Sequence, residues 1–249
     1  MRGLWLSLFC LFALPVHAED IVAGLSQDEI SITANFDGSE ITIFGAVSRD
    51  APRPEGDLGV IIAVAGPDER VTVRRKDRRF GIWVNTESAE IDAAPTFYAI
   101  ATNLPLADIL SSTEDLRYEI SIPAAIRAVD TQVADQPAFT EALTRIRADN
   151  GLYQILDGAV RLRAETLFDA NIRLPANLTE GDYETRIFLT RDQEVVALHE
   201  TTIAVRKVGL ERFIYRLAHD QPLVYGILAL TIAILAGWGA SAAFQLLRR

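Results

Sequence analysis

Cysteine occurs once in the 249 residues, at Cys10, and histidine three times, at His17, His199 and His219. Cys10 and His17 both fall in MRGLWLSLFCLFALPVHA, which has the form of a secretory leader over residues 1–18. Arg2 supplies the positive start, Leu4 to Leu14 the apolar stretch, and Val16-His17-Ala18 a small-residue cleavage site. Cleavage after Ala18 leaves a chain with no thiol and two histidines. Disulfides, a thiolate nucleophile and cysteine metal sites are then excluded, and no transition-metal centre is expected. Other chemistry-bearing patterns are missing as well. No serine stands in Gly-x-Ser-x-Gly, and no glycine-rich loop has the spacing of a phosphate cradle. His199-Glu200 lacks the second histidine of a zinc-protease helix, and Asp37-Gly38 lacks the carboxylate spacing of a calcium loop. The expectation is a non-enzymatic protein without catalytic, cofactor-binding or metal-ligating residues. A hydrolase built on carboxylates brought together across strands is the enzyme class left open.

Positive charge is also scarce: 24 Lys and Arg against 34 Asp and Glu, a formal net charge of −10. A nucleic-acid partner would need a basic field that the whole domain lacks. Long apolar runs are rare too, but one stands out near the C-terminus. LVYGILALTIAILAGWGASAAFQLL, Leu223–Leu247, contains no charge. At about 1.5 Å per residue, some 22 of its residues cover the roughly 30 Å hydrocarbon core of a bilayer. Tyr225 and Trp238 stand where interfacial aromatics are favoured, and Arg248-Arg249 follow. Leader plus one late span predicts a single-pass type I membrane protein. Residues 19 to about 221 are exported, 222–247 span the bilayer, and 248–249 form a cytoplasmic tail. Within the span, Ala229, Ala233, Gly237 and Ser241 recur every fourth residue. Such a small-residue face lets another helix approach closely, for self-association or for a membrane partner. Upstream, in 208–221, Leu210, Phe213, Ile214 and Leu217 share a helical face opposite Arg212 and Arg216, an amphipathic turn suited to the membrane surface.

In the exported part, alternating β-branched segments cover Glu29–Phe36, Glu40–Val47, Leu58–Ala65, Arg70–Arg74, Arg79–Asn85 and Phe97–Thr102, separated by Gly, Pro and Asp turns. A helical connecting region follows over 104–156. Its best helix runs from about Pro137 to Asp149, with Phe139, Leu143 and Ile146 on one face, Glu141–Arg145 as a surface pair, Asp135 as cap and Asn150-Gly151 as stop. Strands return over 157–207. The fold class expected is mainly β with a helical insertion: an antiparallel, immunoglobulin-like β-sandwich, single or double, built from the 19–103 and 157–207 regions. Tyr183, after the corner Glu180-Gly181-Asp182, has the position of a tyrosine whose hydroxyl bonds back to the preceding loop.

The scarce cations concentrate in RRKDRRFGIWVN, Arg74–Asn85. Paired as a hairpin across Lys76-Asp77, with Arg75–Arg78 as loop, the stretch sets Val73 against Phe80 and Val71 against Ile82 on one apolar side. The other side sets Arg74 against Arg79, Thr72 against Gly81 and Arg70 against Trp83. Like charges directly opposite destabilise a strand pair. Carboxylates from elsewhere in the chain could neutralise them. Otherwise Arg74, Arg75, Lys76, Arg78 and Arg79, with Trp83 stacked on Arg70, form a site for an anion, an acidic partner or a lipid headgroup.

VRRKDRRFGIWVN (73–85), PTFYAIATNLPLADIL (95–110), ETLFDANIRLPANLTEGDYETRIFL (165–189) and GLERFIYRLAHDQPLVYGILALTIAILAGWGASAAF (209–244) together resemble the alphaproteobacterial transmembrane protein family Alph_Pro_TM. The resemblance implies an inner-membrane protein facing the periplasm and supplies no catalytic residues. It also implies, through neighbouring genes, an accessory to a TauE/SafE-type anion exporter. The expected function is thus a membrane-anchored periplasmic accessory or scaffolding protein. The alternative is a periplasmic module that binds an anion or acidic ligand at the basic hairpin.

Overall fold

The computed structural model describes residues 19–247 apart from 34, 35, 50, 51, 53, 55, 129–134, 210–213, 215 and 216. The expected leader, the Arg248-Arg249 tail and, of the amphipathic turn, Leu210, Arg212, Phe213 and Arg216 lie outside the described residues. The protein is mainly β with a few short helices and one long apolar helix.

Two sheets face each other. The first holds β1 (Glu19–Leu25), β3 (Ser39–Arg49), β10 (Leu167–Leu174) and β9 (Arg161–Arg163) in the order β1-β3-β10-β9, all antiparallel. The second holds β2 (Glu29–Ile32), β12 (Glu194–Lys207), β11 (Gly181–Arg191), β4 (Leu58–Ala65), β7 (Tyr98–Thr102) and β8 (Tyr153–Leu156) in the order β2-β12-β11-β4-β7-β8. The sheet is mixed rather than wholly antiparallel as expected, because β2 runs parallel to β12 and β8 parallel to β7. The early and late strand regions share both sheets, with β3 beside β10 and β4 beside β11, so they build one unit rather than two.

Alternation sets which side chains meet between the sheets. Ile41, Ile43, Phe168 and Ile172 of the first sheet pack against Val60, Ile62, Ile187, Leu189 and Ile203 of the second. Burying each such side chain contributes about 1.5–3 kcal/mol. β4 reads LGVIIAVA with no polar position, as a strand covered on both faces must. Its other face, through Ile61 and Ala63, joins Tyr98, Ile100 and Phe188 under the helical layer. Tyr183 behaves as expected: its hydroxyl donates to the Thr179 carbonyl at 2.9 Å.

The helical layer comprises α1 (Leu106–Ile109), α2 (Ser112–Tyr118), α3 (Ile122–Ala125) and α4 (Gln136–Asp149). Ser111 and Ser121 cap α2 and α3 by accepting from the Glu114 and Ala124 amides. α4 falls where its pattern placed it and ends at Asn150 and Gly151, the latter at φ 70°. Two expectations about α4 need correction. Ile146 is exposed, and Arg147 occupies the buried position instead, donating to the Pro95 carbonyl and to Glu69. Asp135 precedes the helix but makes no cap bond, because its carboxylate is held by Arg75. The expected Glu141–Arg145 surface pair is not an ion pair among the described residues.

Candidate functional site: a projecting hairpin and an unpartnered helix

β5 (Asp68–Arg79) and β6 (Ile82–Pro95) form a two-stranded sheet of their own, with one further backbone bridge from Ala93 of β6 to Arg127. They prolong the β4–β7 pair without a break. Ala65 faces Tyr98, the Gly66 amide donates to Phe97, the Thr96 amide donates to Pro67, and Asp68 faces Pro95. The ribbon is braced at its root by Arg147. Halfway along, Arg75 reaches Glu87 at 2.9 Å and Asp135 at 2.8 Å, with its guanidinium 4.8 Å from the Phe139 ring centre. Those two carboxylates hold the Arg75 guanidinium above its ordinary range, Asp135 most strongly. Beyond Arg75 every residue of β5 is exposed.

The turn is Phe80-Gly81, not the loop at Lys76-Asp77 expected from the sequence. Arg79 faces Ile82, Arg78 faces Trp83, Lys76 faces Asn85 and Arg75 faces Glu87. Both turn residues have positive φ, 50° at Phe80 and 86° at Gly81, as a two-residue primed turn requires. Gly81 meets that need without strain; Lys-Asp would have met it poorly. The expected Arg74–Arg79 repulsion is therefore absent, since Arg74 lies opposite Ser88. Arg70 pairs with Glu90 at 3.3 Å rather than stacking on Trp83, and Arg79 lies 3.6 Å from Asp77.

Of the six hairpin residues singled out in the sequence, Arg75 is a brace and Arg79 is partly neutralised. Arg74, Lys76 and Arg78 carry no ion pair among the described residues. They alternate along β5, whose register slips only through extra residues on β6, so all three project from one face of the ribbon. Trp83, 68% exposed, stands opposite Arg78 on that face. Phe80 and Ile82, expected opposite Val73 and Val71 on the apolar side of the hairpin, are instead exposed at the tip, Phe80 at 105% and Ile82 at 64%. The glycine of Arg79-Phe80-Gly81-Ile82 was the signal that could have placed them there.

The other candidate face lies on α5 (Pro222–Leu247). Among the described residues this is the one helix long and apolar enough to cross a membrane, over Pro222–Ala240, and none of that window is buried. Ala229, Ala233 and Gly237 are exposed; Ser241 lies on the same helix, with its side chain outside the described residues. A Cβ added at Gly226, Gly237 or Gly239 would meet nothing within 4 Å. Thr231 satisfies its hydroxyl on the Ile227 carbonyl at 2.8 Å, the i−4 bond that Thr144 of α4 also makes. Among the described residues no contact brings the hairpin cations and the helix face together.

For carboxylate chemistry, Asp57, Asp108 and Asp192 line a surface hollow of about 470 Å³ with Thr190 and Gln193. Among the described residues no group of three or more His, Cys, Asp or Glu is disposed to hold a metal ion.

No curated protein matches the chain. The crystal structure of Spo0M, a sporulation control protein from Bacillus subtilis, is similar at 10% identity and a TM-score of 0.30. That similarity covers 82% of this chain but only 56% of Spo0M, and at that score it carries no argument about fold or role. A family model described as "Putative transmembrane protein (Alph_Pro_TM)" matches residues 20–246, so the chain belongs to the Alph_Pro_TM family.

Proposed function

We infer that this protein is a non-enzymatic accessory or scaffolding subunit of the bacterial inner membrane, with its double-sheet domain in the periplasm and its C-terminus in the cytoplasm. The observation that carries the reading is α5: an uncharged helix of 26 residues whose described window, Pro222–Ala240, is nowhere buried against its own chain. A helix apolar on all sides belongs in lipid. The small residues at Ala229, Ala233, Gly237 and Ser241 then offer a face on which a second helix packs closely. On this reading residues 1–18 are a cleaved signal peptide, and Glu19 is the mature N-terminus. The domain outside is an immunoglobulin-like sandwich module, supported by its two facing sheets and the Tyr183 corner. The partner is an inner-membrane transporter of the anion-exporter class.

Co-purification tests this. The tagged full chain, extracted from its native membrane in mild detergent, should bring a polytopic membrane protein in stoichiometric amount. Ala233→Leu and Gly237→Leu should each abolish that recovery, while the chain still reaches the membrane, because a side chain at 237 collides with nothing in its own chain. Recovery unchanged in both variants would defeat the contact face.

A further inference from the structure

We propose that the β5–β6 hairpin is an arm whose tip docks on anionic phospholipid headgroups of the same bilayer that holds α5. The proposal rests on α5 being the membrane anchor and adds a second, separate membrane contact.

Three observations on different scales support it. First, chemistry: Arg74, Lys76 and Arg78 project unpaired from one face, while Phe80, Ile82 and Trp83 present apolar surface at the end of the same ribbon. Cations beside exposed aromatic side chains are what the boundary between headgroups and acyl chains accommodates. The rest of the chain is acidic, so the tip is where an anionic surface can approach without repulsion.

Second, strain. Phe80 holds a left-handed conformation that bulky residues disfavour, and it packs on nothing. Asparagine or glycine would satisfy the turn better. A local rule broken with no return in packing suggests that the ring has its partner outside the chain.

Third, placement. β4 and β12 both run antiparallel to β11, so their C-terminal ends lie at the same end of the sheet. β12 leaves that end toward α5, and β4 leaves it into the hairpin. From Asp68 to Arg79 the arm extends roughly 36 Å at about 3.3 Å per residue. The chain from Val208 to Gln221 spans about 21 Å if helical and up to about 48 Å if extended. The arm therefore reaches the level at which α5 enters the bilayer for any linker span up to about 36 Å, and the helical residues 217–220 hold the linker short of full extension.

The test uses the full chain in lipid nanodiscs, with Trp5 and Trp238 replaced by Phe so that Trp83 alone fluoresces. In discs containing phosphatidylglycerol, Trp83 emission should shift to the blue and be quenched by lipids brominated on their acyl chains. Alanine at Arg74, Lys76 and Arg78 should return it to the emission of an indole in water, since each cation is worth about fivefold in partitioning and the three together roughly a hundredfold. Salt at about 1 M should do the same by screening. A Trp83 equally open to aqueous iodide in phosphatidylglycerol and phosphatidylcholine discs would overturn the proposal. An equal blue shift in pure phosphatidylcholine would also overturn it, because the cations would then have no part. A response to inorganic phosphate in phosphatidylcholine discs as large as that to phosphatidylglycerol would assign the tip to a soluble anion instead. A companion chain retaining only Trp238 reports on the anchor. If Trp238 escapes the brominated lipids, the anchor reading falls and the docking with it. If Trp238 is quenched while Trp83 stays in water, only the arm is refuted.

Discussion

Glu19 begins the first strand and is 4% exposed, yet it is ionised. Arg191 grips both its oxygens, at 2.8 and 2.9 Å, and Arg49 adds a bond at 2.7 Å. One carboxylate thus ties β1 and β3 of the first sheet to β11 of the second. The Arg191 hydrogen bond, against the cost of burial and helped by Arg49, holds its pKa below the ordinary 4.5. A depressed carboxylate stabilises the fold fully above the unfolded-state value. That contribution fades as pH falls below about 4.5 and through the lower folded value. Glu19→Gln leaves two guanidinium groups without their counterion and should cost about 3–5 kcal/mol in denaturant unfolding at pH 7. The variant should also lose part of the decline in stability that the wild type shows between pH 5 and 3. An unchanged midpoint at pH 7 would show that the triad is dispensable. Nothing local in the sequence announces this triad, because Glu19 and Arg191 are 172 positions apart. Tyr183 was legible by contrast, since its partner Thr179 lies four residues upstream in the same corner.

Among the elements, legibility follows the range of the interaction. α4 and α5 were readable because helical periodicity and unbroken apolarity are properties of the segment itself. β4 was readable as a strand from its composition, but its neighbours were not, and the parallel partners of β7 and β12 come from distant parts of the chain. The short helices α2 and α3 escaped notice because each is little more than a serine cap and one or two turns. The hairpin is the instructive miss. Moving its turn from Lys76-Asp77 to Phe80-Gly81 shifts the pairing next to the turn by eight residues, an even number, and the extra β6 residue at the Arg75/Lys76 irregularity makes it nine beyond. Next to the turn every β5 side chain then keeps its face, and alternation there cannot separate the two pairings. Turn chemistry separates them, since glycine accepts positive φ and Lys-Asp does so poorly. Phe80→Asn discriminates experimentally. With Phe80 at an exposed turn, asparagine relieves left-handed strain and should leave stability unchanged or raise it by about 1 kcal/mol. Amide exchange from Arg78 to Val84 should be no faster than in wild type. Had Phe80 faced Val73 in a core, the same change would cost about 3–5 kcal/mol in denaturant unfolding.

At the scale of the whole molecule, an acidic double-sheet domain carries a cluster of unpaired cations, Arg74, Lys76 and Arg78, on one projecting ribbon and, among the described residues, its longest apolar surface on one helix. The β4 end that leads into the ribbon and the β12 end that leads toward the helix lie at the same end of the second sheet, which on the proposed reading is the membrane side. The membrane reading was legible from the uncharged run alone. The shared direction of arm and anchor emerges only when strand order is known, since it depends on β4 and β12 flanking β11. The central claim is that α5 packs through its small-residue face on another membrane protein. Photo-crosslinking in the native membrane tests it most directly, with a photoreactive residue at 237 and a control at Leu235 on the opposite side of the helix. The account predicts one discrete adduct with a different membrane protein from position 237 and none from position 235. Adducts only with lipid, only with a second copy of this chain, or equally from both positions would contradict it.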